Sequence, residues 1–223
     1  METEPYSILY QDDALIAINK PAGLLTIRDG YNPALPNLAE LLNHRFGKVW
    51  TVHRLDKDTS GVNLFALKAE SHRLLNEQFE ARTIRKQYHA LLEGRPEWSE
   101  LEINQPLLVN GDRRHRTIID AWRGKNACTQ IRVINRFDGF SFAAAYPNSG
   151  YTHQIRAHLA FAGFPILFDP LYASMHGRVP VWPDVPFPRL ALHAFEISFR
   201  HPTTNDPLTL SAPYPPDFES MFP

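Results

Sequence analysis

The sequence predicts an α+β fold, a mixed and largely antiparallel sheet with flanking helices. Strand-like runs outnumber helical ones. The two kinds do not alternate regularly, as the βαβ units of a parallel sheet require, and most strand runs are bounded by Gly, Pro or Asp. No long linker or internal repeat interrupts the chain, so residues 1–223 are expected to form one domain.

In order along the chain, residues 7–25 (SILYQDDALIAINKPAGLL) read as two short strands around a Gln-Asp-Asp turn, ending in the punctuation of Pro21 and Gly23. Asn37 with Glu40 three residues later is a capping-box-like start. Leu38, Leu41, Leu42 and Phe46 then recur at helical spacing and Gly47 closes the helix. A strand-like run ends at Val52 and another spans 62–67. A second helix is predicted over 71–81, with Leu74, Leu75 and Phe79 as its buried stripe. KQYHALLEG, TQIRVINRF, FSFAAAYP, LALHAFEISFRHP and LTLSAP read as strands. THQIRAHLAFAG reads as a third helix that turns Ile155 and Leu159 inward and ends at Gly163. The prolines of 180–188 and 213–216 predict ordered surface loop.

Composition excludes several functions. With 43% hydrophobic and 21% charged residues the chain is neither disordered nor fibrous. One cysteine, Cys128, forms no internal disulfide and no thiol-rich metal site, which fits a reducing cytoplasm. No apolar run is long enough to span a bilayer, and the N-terminus lacks a signal-peptide pattern. The ten histidines do not make a metal site: His153 and His158 miss the i,i+4 spacing and no HExxH occurs. A net charge of −1 weighs against nucleic-acid binding unless local patches supply it.

The segment TVHRLDKDTSGVNLFAL sets a charged cluster between two apolar runs. Strands on either side would hold Asp56 on an exposed but rigidly anchored loop, which suits a reactive group. Arg54, two residues away, can keep a carboxylate ionised; an ordinary surface Arg-Asp turn is the plain alternative. Asp58 suits turn capping better than the second carboxylate of a glycosidase pair.

HRLDKDTSGV resembles the catalytic motif of the RluA family of RNA pseudouridine synthases. KPAGLLT, KQYHALLEG, GKNACT, SGYTHQIRAHLAFAGFPILFDPLY and LALHAFEISFRHP resemble further blocks of that family, in the family's order, from Lys20 to Pro202. The resemblance implies an isomerase that breaks the N1–C1′ bond of a uridine in RNA, turns the base and rejoins it through C5, without metal, redox step or cofactor. An aspartate can attack the anomeric carbon or take a proton from the sugar. By resemblance Asp56 is the catalytic aspartate, and Arg156 of HQIR is the basic residue that pairs with it. Tyr88 is the tyrosine that stacks on uracil and relays the C5 proton. Arg54 helps displace the target base, Leu192 lines the uracil pocket, and His53, Thr59, Ser60 and Gly61 support the loop. Without the motif, Tyr88 would be a strand aromatic and Arg156 a solvated helix residue.

Two blocks depart from the family pattern. In one, Ser149 and Tyr151 stand where threonine and arginine are common, and in the other Phe168 stands where glycine is usual. Two basic segments answer the near-neutral charge: Arg82, Arg85 and Lys86 beside Tyr88, and Arg113, Arg114, Arg116, Arg123 and Lys125. Each can contact phosphate, or be a solvated face. The KPAG block begins at Lys20, leaving no room for an S4-type RNA-binding domain before it. The expected substrate is therefore a tRNA or a small rRNA stem-loop, with no obligate protein partner. A non-catalytic RNA-binding module should have lost Asp56, and a nucleoside N-glycosidase should carry a second acid or a metal.

Overall fold

Asp12 makes the first turn. Its Oδ1 accepts hydrogen bonds from the backbone N–H of Ala14 (2.7 Å) and Leu15 (2.9 Å), an Asx-type closure that reverses the chain between two strands. The computed structural model describes residues 4–172 and 189–221. The strands are β1 (Ser7–Gln11), β2 (Leu15–Lys20), β3 (Trp50–Thr51), β4 (Ser60–Ala66), β5 (Arg85–Glu93), β6 (Glu100–Asn104), β7 (Leu107–Leu108), β8 (Ile118–Ile119), β9 (Cys128–Arg136), β10 (Phe140–Pro147), β11 (Leu192–Arg200) and β12 (Pro207–Ser211). The helices are α1 (Leu38–Phe46), α2 (Ala69–Glu80), α3 (Gln154–Phe161) and α4 (Pro216–Glu219). Every strand pair with a described register is antiparallel, and the fold is α+β, as the strand-rich pattern predicts.

The chain divides into two compact units, Met1–Lys86 with Ala194–Pro215, and Gln87–His193 with Pro216–Pro223. In the first, the strand order is β1-β2-β4-β11, with β3 on β4 and β12 on β11. β4 is buried at all seven positions. One face packs Leu15, Val62, Leu64 and Leu75 with Phe199; the other packs Ile16, Ile18 and Phe65 against Leu38 and Leu42 of α1. The Asn37 side chain accepts from Glu40 N and caps α1, and Gly47 ends it. α2 buries Leu75, with Leu74 and Phe79 half-buried beside it.

In the second unit the order is β5-β10-β9-β6, beside the two-stranded ladder of β7 and β8. β9 alternates buried and exposed residues, the period-2 signature of a strand with one solvated face. α3 departs from the expected one-sided stripe. Gln154, Arg156 and His158 are buried along with Ile155 and Leu159. His158 reaches Thr129 Oγ1 (2.8 Å) and Gln105 O (3.0 Å), and Gln154 Nε2 donates to Cys128 O (3.1 Å), so the polar positions are satisfied inside the fold.

β6 and the two-residue strands β7 and β8 carry too little periodicity to be read from sequence. The proline stretch 180–188 lies outside the described residues. Residues 213–215 are irregular and Pro216 opens α4. Among the described residues, no helix is long and apolar enough to cross a membrane.

Candidate active site

β3 and β4 pair through Trp50↔Ala66 and Thr51↔Phe65, and residues 52–59 run between them. Leu55 turns inward at 5% exposure, which sets its neighbours outward: Arg54 is exposed and Asp56 is half-buried. Asp56 O accepts from Thr59 N (3.2 Å), closing a turn over exposed Lys57 and Asp58. No ion pair joins Arg54 to Asp56 among the described salt bridges, so the two-residue spacing does not make that contact. Thr59 and Ser60 are buried. At Gly61, with φ +113°, a Cβ would lie 2.1 Å from Ala194 O. Only glycine lets β4 run that close to the neighbouring backbone.

A second segment braces this loop from beneath. Lys20, wholly buried at the end of β2, donates its Nζ to Pro21 O (2.8 Å), Leu24 O (2.8 Å) and Lys57 O (3.1 Å). Gly23 N also donates to Lys57 O (2.9 Å). Thr26 Oγ1 accepts from Leu55 N (3.1 Å) and lies 3.0 Å from both Leu55 O and Asn63 Oδ1. His53 Nε2 accepts from Leu64 N (3.0 Å), which requires a neutral ring with its proton on Nδ1. Burial, and secondly the charge of Lys86, push the His53 pKa down to about 3 and keep that acceptor available. Lys86, half-buried beside exposed Arg85 at the start of β5, is itself pushed down to about 8, by burial and then by the charge of Arg82.

In the second unit the buried Arg156 meets an equally buried Asp169. Nε donates to Oδ2 (2.7 Å) and Nη2 to Oδ1 (2.8 Å), a fork-to-fork pair. Asp169 Oδ1 also accepts from Leu171 N (2.9 Å) and Tyr172 N (3.2 Å). The Arg156 guanidinium lies 5.2 Å from the Tyr172 ring centre and that of Arg116 lies 6.0 Å from it. Tyr172 Oη accepts from Thr117 N (2.9 Å) and donates to Thr117 O (3.0 Å). The basic loop between β7 and β8 docks on the same turn, with Arg114 Nη2 donating to Pro170 O (3.1 Å) and Arg116 Nη1 to Leu171 O (3.1 Å). Arg116 is partly neutralised by Asp112 (2.6 Å), and Arg123 by Asp120 (2.7 Å). The basic segment is therefore less cationic than its composition. Tyr88 is half-buried on β5 opposite Ala145, and Leu192 opens β11 at 4% exposure.

The residues singled out from sequence thus fall into local groups. His53, Arg54, Asp56, Thr59, Ser60 and Gly61 share one braced loop. Arg114, Arg116 and Arg156 are linked through residues 169–172. Sequence reasoning missed Lys20, Thr26, Asn63, Asp169 and Tyr172 as supports. Four of these lie inside the motif-like blocks, but their partners are remote in sequence. At the two departures, Tyr151 packs against the cluster of Leu107, Ala157, Ala160 and Tyr172. Phe168 adopts φ +59°, the left-handed region where glycine is at ease and a bulky residue is strained. Among the described residues no group of three or more His, Cys, Asp or Glu is arranged to hold a metal ion.

Comparison with known proteins extends this picture. The profile of the RNA pseudouridylate synthase family matches residues 14–161. The dual-specificity RNA pseudouridine synthase RluA of Pasteurella multocida is 37% identical over 213 residues, covering 95% of this chain and 94% of that protein. RluA of Escherichia coli is 34% identical, covering 92% of each. Among solved structures, human RNA pseudouridylate synthase domain containing 1 superposes with a TM-score of 0.78 at 28% identity, covering 99% of this chain and 90% of that one.

Proposed function

The chain belongs to the RluA-type family of RNA pseudouridine synthases, and on that premise we propose that Asp56 is the carboxylate with which it isomerises uridine in a compact, structured RNA. The reaction balances within the nucleotide. The N1–C1′ bond breaks, a C5–C1′ bond forms, C5 gives up its hydrogen and N1 ends protonated. A carboxylate serves this chemistry as nucleophile at C1′ or as base toward the sugar.

The observation that supports Asp56 most is its setting. It is half-exposed on a loop anchored by the buried Leu55 just before it, whose N–H is held by Thr26, and by the buried Thr59 three residues after it, whose N–H is held by Asp56 O, so the group is accessible yet fixed. Tyr88 is the proposed aromatic for the extruded uracil and the relay for the C5 proton. Arg156 is the proposed catalytic cation; the fork from Asp169 fixes its orientation. Arg54, exposed on the motif loop, is the proposed residue that displaces the base, and Leu192 the proposed apolar wall. Arg85, Lys86, Arg114 and Arg116 are the proposed phosphate contacts. The name of one relative, a large-subunit ribosomal synthase from Pasteurella multocida, supports an rRNA stem-loop as substrate, and a tRNA arm of similar size is the other compact RNA proposed. The proposed setting is the cytoplasm, with RNA as the partner.

Purified protein should release the C5 hydrogen of uridine in such an RNA, leaving mass unchanged and liberating no uracil. Asp56→Asn and Asp56→Ala should abolish release while RNA affinity stays within about twofold. Free uracil would identify a glycosidase, and substantial turnover by the Ala variant would remove Asp56 from the chemistry.

A further inference from the structure

Trp122 is 95% exposed, more than any other large apolar side chain described. An indole is usually among the better-buried side chains of a fold, and here it stands on a turn built to present it. Asp120 Oδ1 accepts from Trp122 N (3.0 Å) and Arg123 N (2.9 Å), and Oδ2 accepts from Arg123 Nε (2.8 Å). Gly124 N closes back on Asp120 O (2.9 Å). A Cβ at Gly124 would sit 2.4 Å from that same oxygen, so the turn admits no other residue without opening. Its ends are pinned as well. Asp120 N donates to Pro106 O (3.1 Å), and Leu107 and Lys125 exchange two backbone hydrogen bonds of 2.9 Å over the buried Leu107 and Ala127. The turn holds its backbone shape with the ring in water.

Charge indicates what the ring meets. Residues 109–127 hold five Arg and Lys against two Asp, a net +3 in a chain whose total is −1, so the remainder carries −4. Both aspartates are occupied by Arg116 and Arg123, and Arg113, Arg114 and Lys125 of the same segment are exposed. A protein interface gathers apolar residues and sheds charge at its centre, whereas a lone exposed aromatic on a cationic segment is the composition of a nucleic-acid stacking site.

We propose that Trp122 is a stacking platform for an unpaired nucleobase of the RNA substrate, separate from the uridine that reacts, with Lys125, three residues further along the same turn, on an adjoining phosphate. This rests on the reading of the chain as an RNA pseudouridine synthase. Stacking is tolerant of base identity, so the platform selects an unpaired nucleotide rather than a sequence.

The test uses the whole protein and a hairpin RNA with an unpaired, uridine-containing loop, beside a fully paired duplex. Trp122→Ala should weaken hairpin binding by about 5- to 150-fold, the range for losing one base–aromatic stack. Trp122→Phe should recover most of it, and the single-turnover rate at saturating RNA should stay within about twofold. The slope of log affinity against log salt should be unchanged in Trp122→Ala but shallower by about 1 in Lys125→Ala, because stacking releases no counterions. Duplex binding should be the same for wild type and Trp122→Ala. Equal hairpin affinity of wild type and Trp122→Ala, with the wild type forming pseudouridine, overturns the platform and leaves the enzyme assignment standing. If the wild type forms no pseudouridine in any cellular RNA, the assignment itself falls, and the platform with it.

Discussion

Lys20→Met tests whether a buried ammonium holds the catalytic loop in place. The substitution keeps an unbranched apolar stem, one atom shorter, but removes the charge and the hydrogen bonds to Pro21 O, Leu24 O and Lys57 O. Leu24 O loses its bond in a fully buried position and is stranded at about 1–3 kcal/mol. The bonds to Pro21 O and Lys57 O are partly buried, so water replaces some of what is lost and each falls at the low end of that range. The sum is about 3–5 kcal/mol, which for a chain of this size lowers Tm by about 6–20 °C. Activity should suffer separately. Lys57 O is held by Lys20 Nζ and Gly23 N, and losing one of these restraints loosens the residue next to Asp56. A displacement of about 1 Å at a reacting group costs about a hundredfold in rate. Thermal unfolding and single-turnover pseudouridine formation, measured below the variant's melting range, read the two effects. A Tm within about 2 °C of wild type, with an unchanged single-turnover rate, would refute the bracing role.

Tyr88→Phe should keep RNA affinity and slow release of the C5 hydrogen, since only the hydroxyl is lost; an unchanged release rate in single turnover would leave Tyr88 as a stacking surface alone. Asp169→Asn should destabilise the protein by about 3–5 kcal/mol in urea titration, because it removes the buried carboxylate onto which the Arg156 guanidinium forks; a loss below about 1 kcal/mol would contradict that. Stability should fall on acidification. Burial holds His53 at about 3 and His89 at about 4, both below the unfolded value of 6.5. Between those limits the unfolded chain binds protons that the native chain does not, so this stability is complete above about pH 6.5. By pH 5 each histidine has removed about 2 kcal/mol. Urea midpoints that do not change from pH 7.5 to pH 5 would show that neither ring is held neutral.

Elements with a strong period or a cap were legible from the chain alone. FSFAAAYP coincides with β10, and the Asn37 cap with its Leu stripe gives α1. The edge strand β6 is mostly polar, and β7 and β8 are two residues each, so no periodic signal marks them. Burial of polar side chains was also beyond local reading. Arg156 read in isolation is a solvated helix residue, yet it lies inside the fold because Asp169, thirteen residues on, brings the matching fork of oxygens.

The chain by itself determined the reaction family, through an ordered set of motif blocks, and the local frame of the candidate carboxylate: an apolar run on either side of a charged turn closed by Thr59, Ser60 and Gly61. Only the tertiary structure decided what makes that frame rigid and how much positive charge is left for RNA. The ammonium beneath the loop comes from Lys20, thirty-seven residues before Lys57. Arg116 and Arg123 spend part of their charge on Asp112 and Asp120, while Trp122 keeps its face in water. Such facts depend on which groups the fold brings within hydrogen-bond range and which it shields from solvent. A carbonyl, a charge or an indole carries no mark of either until its neighbours are in place.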